Sequence, residues 1–225
     1  MSAAPQLPAP GQAEELVIRG PAGKLKALVA VPKDPATPRG FAVVCHPHPL
    51  HGGALTNKVA YTLASAALAH GIAAVRFNFR GVGGSDGAYD EGRGEVDDTL
   101  AVVEWMRARV PGGRLLLAGF SFGAFVCLKA AVRAEPALVV TIAPPFKYFA
   151  GEPVPPRPAA PWLAVHSTDD DVVPYLDTQA QLEQYRPPAE LVTLTGAGHF
   201  FHGKLGQLQA AVSDFIGREW GKLEA

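Results

Sequence analysis

Gly119-Phe120-Ser121-Phe122-Gly123 follows an apolar run, Arg114 to Ala118, and precedes a second run of small and apolar residues that begins at Ala124. The first run predicts a buried strand and the second the start of a helix. Ser121 would then stand at the tip of a sharp strand-to-helix turn. Glycines two residues to either side fit such a turn, because a Cβ there would collide with the adjacent strand or helix. This context predicts a nucleophilic serine hydroxyl at Ser121.

A serine nucleophile needs a histidine base and an acidic group that orients the base, and both follow Ser121 along the chain. A predicted strand at 161–166 runs into three aspartates at 169–171, and a predicted strand at 190–195 runs into Gly196-Ala197-Gly198-His199. The carboxyl ends of parallel strands meet at one edge, where open α/β sheets bind their ligands. We therefore predict that His199 takes the Ser121 proton and that an aspartate holds its other ring nitrogen.

Five local phrases extend this pattern over residues 41 to 205, which is most of the chain. They are Cys45-His46-Pro47-His48-Pro49, Gly52-Gly53 with Asn57-Lys58-Val59, Arg76 to Gly83, Gly119 to Gly123, and Gly198-His199-Phe200-Phe201-His202. With these phrases the chain resembles the α/β-hydrolase superfamily and, within it, the small lidless bacterial serine hydrolases. The resemblance implies an α/β-hydrolase fold and a serine hydrolase active site.

The identity of the acid is open, because three aspartates stand in a row. The common α/β-hydrolase arrangement places the acid two positions before a Val-Val-Pro-like segment, which selects Asp170; Asp169 and Asp171 remain the alternatives. Some hydrolases carry the acid after the preceding strand instead. Here residues 143–147 follow that strand and contain no carboxylate, so this option is excluded.

The resemblance also implies an oxyanion hole made of two backbone N–H groups. One donor is the N–H of Phe122, directly after the nucleophile, and the second comes from the loop after the strand that ends at Cys45. Proline has no N–H, so the two prolines of that loop are excluded. His48 is the first choice for the second donor and Leu50 the alternative.

The same loop also permits an alternative interpretation as a zinc site. His46, His48 and His51 have the spacing of the H-x-H-x-D-H zinc motif of metallo-β-lactamase-type hydrolases. Leucine, however, stands where that motif carries aspartate, prolines separate the histidines, and that family has a β-sandwich fold. We therefore expect no metal, and we expect His46 and His51 to shape the loop through hydrogen bonds.

Length and composition agree with one globular enzyme, for which we expect no cofactor. The chain has 225 residues, of which 48% are hydrophobic and 18% charged, and its net charge is −1. This charge gives no electrostatic case for binding nucleic acid or an anionic membrane. No signal peptide is apparent, and the two cysteines do not suggest a disulfide framework. We expect a cytoplasmic protein with a small-molecule ester substrate, no nucleic-acid or membrane partner, and a monomeric or small homo-oligomeric state.

Apolar strands alternate with amphipathic helices along the chain, which is typical of a doubly wound α/β sheet. The predicted strands are 15–19, 24–32, 41–46, 72–77, 114–118, 138–142, 161–166 and 190–195, and the predicted helices are 57–70, 95–109, 122–134, 175–186 and 204–220. We predict a mobile tail at 1–13 and a single α/β-hydrolase domain at 14–225, with about eight mostly parallel strands and helices on both faces.

The segment between the strands 138–142 and 161–166 has functional consequences. It is short and rich in proline, so it cannot form a lid domain, and the active site is expected to be open. Its aromatic residues and those near Ser121 and His199 are expected either to line the mouth or to pack in the core; they are Phe122, Phe146, Tyr148, Phe149, Phe200 and Phe201. No individual substrate-binding residue is predicted.

The reaction expected from this pattern is hydrolysis of carboxylic esters through an acyl-enzyme on Ser121. Two other readings remain open. One is a thioesterase or amide hydrolase with the same triad, because the triad does not encode the leaving group. The other is a noncatalytic, ligand-binding member of the fold.

Overall fold

Eight strands build one sheet in the structure, a computed structural model that describes residues 6–34, 38–149 and 151–224. The strands are β1 (Ala13–Gly20), β2 (Gly23–Ala30), β3 (Gly40–Cys45), β4 (Ile72–Phe77), β5 (Arg114–Phe120), β6 (Leu138–Ile142), β7 (Trp162–Ser167) and β8 (Glu190–Leu194). The helices are α1 (Lys58–Ala69), α2 (Arg93–Arg107), α3 (Phe122–Ala134), α4 (Tyr175–Leu182) and α5 (Leu205–Glu224). All eight strands and five helices that the sequence predicts are present in the structure.

The order of the strands places the site. Across the sheet they run β1-β2-β4-β3-β5-β6-β7-β8, with β1 and β2 antiparallel to their neighbours and the remaining strands parallel. From β3 the chain proceeds first to β4 on one side and then to β5 on the other. Such a reversal opens a crevice at the carboxyl ends of the strands, where α/β sheets bind ligands. The predicted mostly parallel, doubly wound sheet is therefore confirmed.

Helices cover both faces of the sheet because its central strands are apolar on both faces. In β3, Phe41 and Val43 face the core shared with α2 and α3, and Ala42 and Val44 face the core shared with α1 and α5. The alternation follows from the pleat of a strand, in which successive side chains point to opposite faces. Two fully buried layers thereby fix the sheet between the helices.

A buried ion pair holds the loop after β4. The Arg80 guanidinium donates from Nε to Asp98 Oδ2 at 3.0 Å and from Nη2 to Asp98 Oδ1 at 2.8 Å, and the Arg80 N–H donates to Oδ2 as well. Asp98 is fully buried on α2, so the bidentate pairing satisfies a charge that would otherwise be costly to bury. Arg80 thus anchors the glycine-rich loop at 81–87 to α2.

Two local features differ from the predicted elements. Helix α4 ends at Leu182 instead of residue 186, because the N–H groups of Gln184 and Tyr185 bond three residues back as the buried Tyr185 ring turns in against Trp162. Short 3₁₀ turns at Pro49–His51 and Phe146–Phe149 were not predicted. Among the described residues between β6 and β7, the turn at Phe146–Phe149 is the only regular element. No lid domain is inserted in this described stretch, so the predicted lidless architecture is confirmed.

The N-terminal boundary stays a prediction. Residues 1–5 of the predicted tail lie outside the described residues. Within residues 6–12, the Gly11 N–H donates to the Val31 carbonyl at 3.1 Å, and Leu7 packs against the core. Of the helices in the described part of the chain, none has the length and apolarity needed to cross a membrane.

Candidate active site

Ser121 occupies a strained turn between β5 and α3. Its backbone has φ 53° and ψ −121°, a conformation that L-residues rarely adopt. The turn is held from outside, because the Ser121 N–H donates to the Ile142 carbonyl of the neighbouring strand at 2.8 Å. A Cβ on Gly119 would lie 2.3 Å from the Gly123 carbonyl, and one on Gly123 would lie 2.4 Å from the Cys45 and His46 carbonyls. Both glycines are therefore required by the close approach of backbone, as the motif predicts.

The structure brings Ser121, His199 and Asp170 into one hydrogen-bonded row. His199 Nε2 lies 3.1 Å from Ser121 Oγ, and His199 Nδ1 lies 2.8 Å from Asp170 Oδ2. The three residues come from the ends of β5, β7 and β8, so the parallel sheet delivers them to one edge. All three are buried, with His199 only 4% exposed. A carboxylate on Nδ1 leaves Nε2 free to accept the hydroxyl proton of the serine.

Asp170 is surrounded by hydrogen-bond donors. Its Oδ1 accepts from the N–H groups of Val172 at 2.9 Å and Val173 at 2.7 Å, and its Oδ2 accepts from His199. Burial alone would raise the pKa of the Asp170 carboxyl. Hydrogen bonds from His166, His199 and the Val173 N–H outweigh burial, and hold this pKa well below its usual range. Asp170 is therefore a charged group at neutral pH.

A second imidazole also reaches Asp170. The Nε2 of His166, a fully buried residue on β7, lies 2.9 Å from the Val173 carbonyl and 3.3 Å from Asp170 Oδ2. Both neighbours accept hydrogen bonds, so Nε2 carries the proton of the ring. The Nδ1 atom has no partner among the described residues. Sequence reasoning gave His166 no role, because a histidine at the end of a strand resembles an ordinary core residue.

The other two aspartates do not reach His199. Asp169 accepts a hydrogen bond from the Gly196 N–H at 2.6 Å and so ties the β7 loop to the loop that carries His199. Asp171 is exposed. Of the three candidates that the sequence leaves open, the structure places only Asp170 against the imidazole.

The residues of the two predicted oxyanion donors, Phe122 and His48, contact each other next to Ser121. Phe122 is the first residue of α3, where backbone N–H groups have no carbonyl partner within the helix. The His48 ring lies over the Phe122 ring, with centroids 5.1 Å apart, which brings the loop after β3 to the start of α3. The N–H of Leu50, the alternative donor, is already committed to His48 Nδ1 at 3.2 Å. This favours His48 over Leu50 as the second donor.

His46 is a structural residue of the same loop. Its Nδ1 lies 2.6 Å from the Pro47 carbonyl, and its Nε2 accepts from the Phe79 N–H at 3.1 Å, so both ring nitrogens are used. Burial lowers the pKa of His46 to about 4, although its bond to the Pro47 carbonyl acts in the opposite direction. A neutral ring with both nitrogens committed has no lone pair left for zinc. Among the described residues no cluster of three or more potential metal ligands occurs.

A cavity of about 330 Å³ opens beside Ser121. Its lining is mostly aromatic and apolar, and consists of His48, His51, Tyr89, Ser121, Phe122, Pro145, Tyr148, Phe149, Val172 and Val173. Three of the six aromatic residues expected near the mouth are among these. Of the other three, Phe146 and Phe201 are buried in the core and Phe200 is exposed beside His199. Tyr89 was not predicted, because it follows a glycine-rich segment that indicates only a tight turn.

The chain is similar to a family of known hydrolases. Residues 22–148 match the model of the X-Pro dipeptidyl-peptidase (S15) family. Over 218 residues the chain is 30% identical to an uncharacterised protein of Rickettsia prowazekii, with 90% of this chain and 88% of that protein covered. The matched family region includes the β3 loop and the Ser121 turn.

Two solved structures extend the similarity to nearly the whole chain. XC6422 from Xanthomonas campestris, an α/β serine hydrolase without a lid, superposes with a TM-score of 0.89 at 40% identity, covering 96% of this chain and 97% of that one. An α/β serine hydrolase homologue from Coxiella burnetii superposes with a TM-score of 0.85 at 41% identity, covering 90% of this chain and 97% of that one.

Proposed function

The chain belongs to the S15 family within the α/β serine hydrolases, and on this basis we propose that it cleaves carboxylic esters through an acyl-enzyme on Ser121. The observation that carries the proposal is the row of hydrogen bonds Ser121–His199–Asp170 beside a cavity of about 330 Å³. The proposed partner is a small-molecule ester. The cytoplasmic location and the monomeric or small oligomeric state stay predictions from the sequence.

In the proposed mechanism Ser121 Oγ transfers its proton to His199 Nε2 and attacks the ester carbonyl carbon. Negative charge develops on the carbonyl oxygen, where the N–H groups of Phe122 and His48 stabilise it; one such donor contributes about 2.7–4 kcal/mol in related chemistry. His199 then donates its proton to the departing alkoxide. Water, deprotonated by the same imidazole, attacks the acyl-enzyme; the bond between the acyl carbon and Ser121 Oγ breaks, Oγ takes the proton back from His199, and the acid is released. Asp170 keeps the proton of His199 on Nδ1 throughout and stabilises the imidazolium.

The cavity favours an ester over the N-terminal dipeptide that the name of the family model suggests. A dipeptidyl substrate carries a free α-ammonium group close to the scissile bond, and binding it in a partly buried site requires a negative partner. None of the ten described residues that line the cavity is an aspartate or glutamate. No carboxylate of the described lining would therefore pair directly with the ammonium group, whereas an uncharged acyl group fits the apolar lining.

Thioesters and amides remain alternative substrates, because Ser121, assisted by His199 and Asp170, would attack their carbonyl carbon in the same way. The rates on matched ester, thioester and amide substrates distinguish these classes. A noncatalytic role predicts something different, namely ligand binding without a covalent adduct on Ser121.

The experiment is intact-mass spectrometry after incubation with a fluorophosphonate, followed by a screen of small chromogenic esters. We expect one adduct on the wild type and none on Ser121→Ala, and ester turnover by the wild type only. Circular dichroism confirms that the variant is folded. Ester turnover by a folded Ser121→Ala protein would contradict the proposal, and so would an unlabelled, folded wild type.

A further inference from the structure

Three polar side chains, those of His48, His51 and Tyr89, lie together at one wall of the cavity. The rings of His48 and His51 stack with centroids 4.4 Å apart, and the Tyr89 ring lies 5.0 Å from that of His48. Tyr89 Oη is 3.3 Å from His48 Nε2. The rest of the lining is apolar or aromatic apart from Ser121 and the Tyr148 hydroxyl, so a substrate group in the cavity meets few other polar atoms.

The direction of these hydrogen bonds follows from the backbone. The Leu50 N–H donates to His48 Nδ1, so Nδ1 carries no proton and the proton of the neutral ring is on Nε2. Burial lowers the pKa of His48, with the nearby His51 adding to the effect, which keeps the ring neutral. His48 Nε2–H therefore donates to Tyr89 Oη, and Tyr89 cannot donate in return.

The proton of Tyr89 is consequently available to a ligand. The hydroxyl has no other hydrogen-bond partner among the described residues, and burial, together with the carboxylates of Glu95 and Glu91, raises the pKa of Tyr89, so the phenol stays protonated. Tyr148 lines the same cavity, but its hydroxyl already donates to the Val172 carbonyl at 2.6 Å. Of the two tyrosines in the cavity, Tyr89 is the one with a free donor.

The position of His199 indicates which part of the ester enters the cavity. His199 must approach the leaving group to protonate it, so the alcohol lies on the His199 side of Ser121. His199 does not line the cavity, whereas both proposed oxyanion donors, Phe122 and His48, do. The cavity therefore faces the acyl side of the ester.

From this geometry we propose that Tyr89, oriented by His48, donates a hydrogen bond to an oxygen on the acyl chain of the substrate. The substrates selected are esters of short acids that carry an ether, keto or second ester oxygen a few bonds from the carbonyl, in preference to acids with plain hydrocarbon chains. The proposal rests on the proposed ester hydrolysis, which it narrows to a substrate class. A cavity of about 330 Å³ sets the upper size of such an acyl group.

The test compares p-nitrophenyl esters that differ by one oxygen in place of a methylene. Two pairs suffice: 3-methoxypropanoate with pentanoate, and 4-methoxybutanoate with hexanoate. For each pair the ratio of kcat/KM, oxygen ester over hydrocarbon ester, is measured in the wild type and in Tyr89→Phe. Intrinsic differences in ester reactivity cancel when the two ratios are compared.

We expect Tyr89→Phe to lower this ratio about 2- to 10-fold for at least one pair, which is the effect of one neutral hydrogen bond. The matched control is Tyr148→Phe, the same substitution in the same cavity, which should retain the wild-type ratio. His48→Asn serves as a second variant: its amide can still accept from the Leu50 N–H but cannot reach Tyr89, so the ratio should fall here as well.

Three results would overturn the proposal. Equal ratios in the wild type and Tyr89→Phe for both pairs would do so, as would an equal fall in the ratio for Tyr148→Phe. In either case the proposed ester hydrolysis would be retained, because the wild type and the variants would still turn over esters. No turnover of any ester by a folded wild type would instead remove the proposed function, and the Tyr89 proposal with it.

Discussion

At the scale of single residues, His166 extends the hydrogen-bonded row Ser121–His199–Asp170 by a fourth member. Asp170 Oδ2 is shared by two imidazoles, that of His199 at 2.8 Å and that of His166 at 3.3 Å. Because Oδ1 is held by backbone N–H groups, the carboxylate is fixed on both of its oxygens. A carboxylate fixed in this way holds the His199 ring in one orientation.

Replacement of His166 should therefore impair the proposed catalysis without removing any reacting group. His166→Phe keeps an aromatic ring but removes the donor, and we expect kcat/KM on a chromogenic ester to fall about 10-fold, the order expected for a hydrogen bond to a charged group. His166→Gln places an amide donor near the position of Nε2 and should recover part of the loss. Equal activity in His166→Phe and the wild type would show that Asp170 does not need this donor.

Single residues also show which parts of this site can be predicted from the sequence and which cannot. Ser121 and His199 were identifiable because each lies in a short glycine-flanked phrase with a recognisable context. Three consecutive aspartates do not by themselves show which of them turns toward the histidine, and only the spacing to the Val-Val-Pro segment selected Asp170. The structure shows the reason: Asp170 accepts from Val172 and Val173, whereas Asp169 accepts from Gly196. Tyr89 was not identifiable, because its partner His48 lies 41 positions away in the sequence. His166 was not identifiable, because its contact with Asp170, four positions on, depends on the conformation of the loop after β7.

At the scale of elements, the turn that carries Ser121 depends on backbone atoms from three segments. A side chain at Gly123 would meet the carbonyls of Cys45 and His46 at 2.4 Å. These carbonyls lie at the end of β3 and at the start of the loop that supplies the proposed second oxyanion donor. Carbonyl groups of a strand end cannot move aside as a flexible side chain can. The start of α3 therefore packs against the end of β3 so closely that only glycine fits at position 123.

The substitution Gly123→Ala tests that fit. We expect it to destabilise the protein by about 1–3 kcal/mol through overpacking and to slow fluorophosphonate labelling of Ser121 at least tenfold. Gly206→Ala is the matched control, because a Cβ at this position of α5 meets nothing within 4 Å, so stability should be unchanged or slightly raised. Thermal unfolding and labelling rates of the two variants provide the comparison; similar behaviour in both would contradict the fit described here.

The boundaries of the elements were predictable from the chain to within a few residues, since the central strands are continuous apolar runs and the helices have clear ends. Asn57 caps α1 by accepting from the Val59 and Ala60 N–H groups, and such a residue before an amphipathic run is a visible signal. The early end of α4 was not visible, because it depends on Tyr185 packing against Trp162, which is a tertiary contact. Helix ends that depend on local capping were therefore predictable from the sequence, whereas the end of α4, which depends on a tertiary contact, was not.

At the scale of the whole molecule, one buried imidazole joins the two sides of the crevice. His46 follows β3, and through Nε2 it accepts from the N–H of Phe79, which follows β4. The Nδ1 proton is held by the Pro47 carbonyl at 2.6 Å. Protonation of Nε2 would break the bond to Phe79 and place a charge in the core. This bond between the two loops that flank the cavity therefore exists only while His46 is neutral.

Acid should weaken the whole fold through this residue. The pKa of His46 is lowered from 6.5 to about 4 in the folded state, so between these values the unfolded chain binds more protons and stability falls as pH decreases. We expect this one group to cost the wild type about 2–3 kcal/mol between pH 7 and pH 4.5. His46→Gln should be less stable than the wild type at pH 7, and the difference should shrink by a similar amount at pH 4.5. Urea unfolding of both proteins at the two pH values measures this; a constant difference would show that His46 does not link stability to pH.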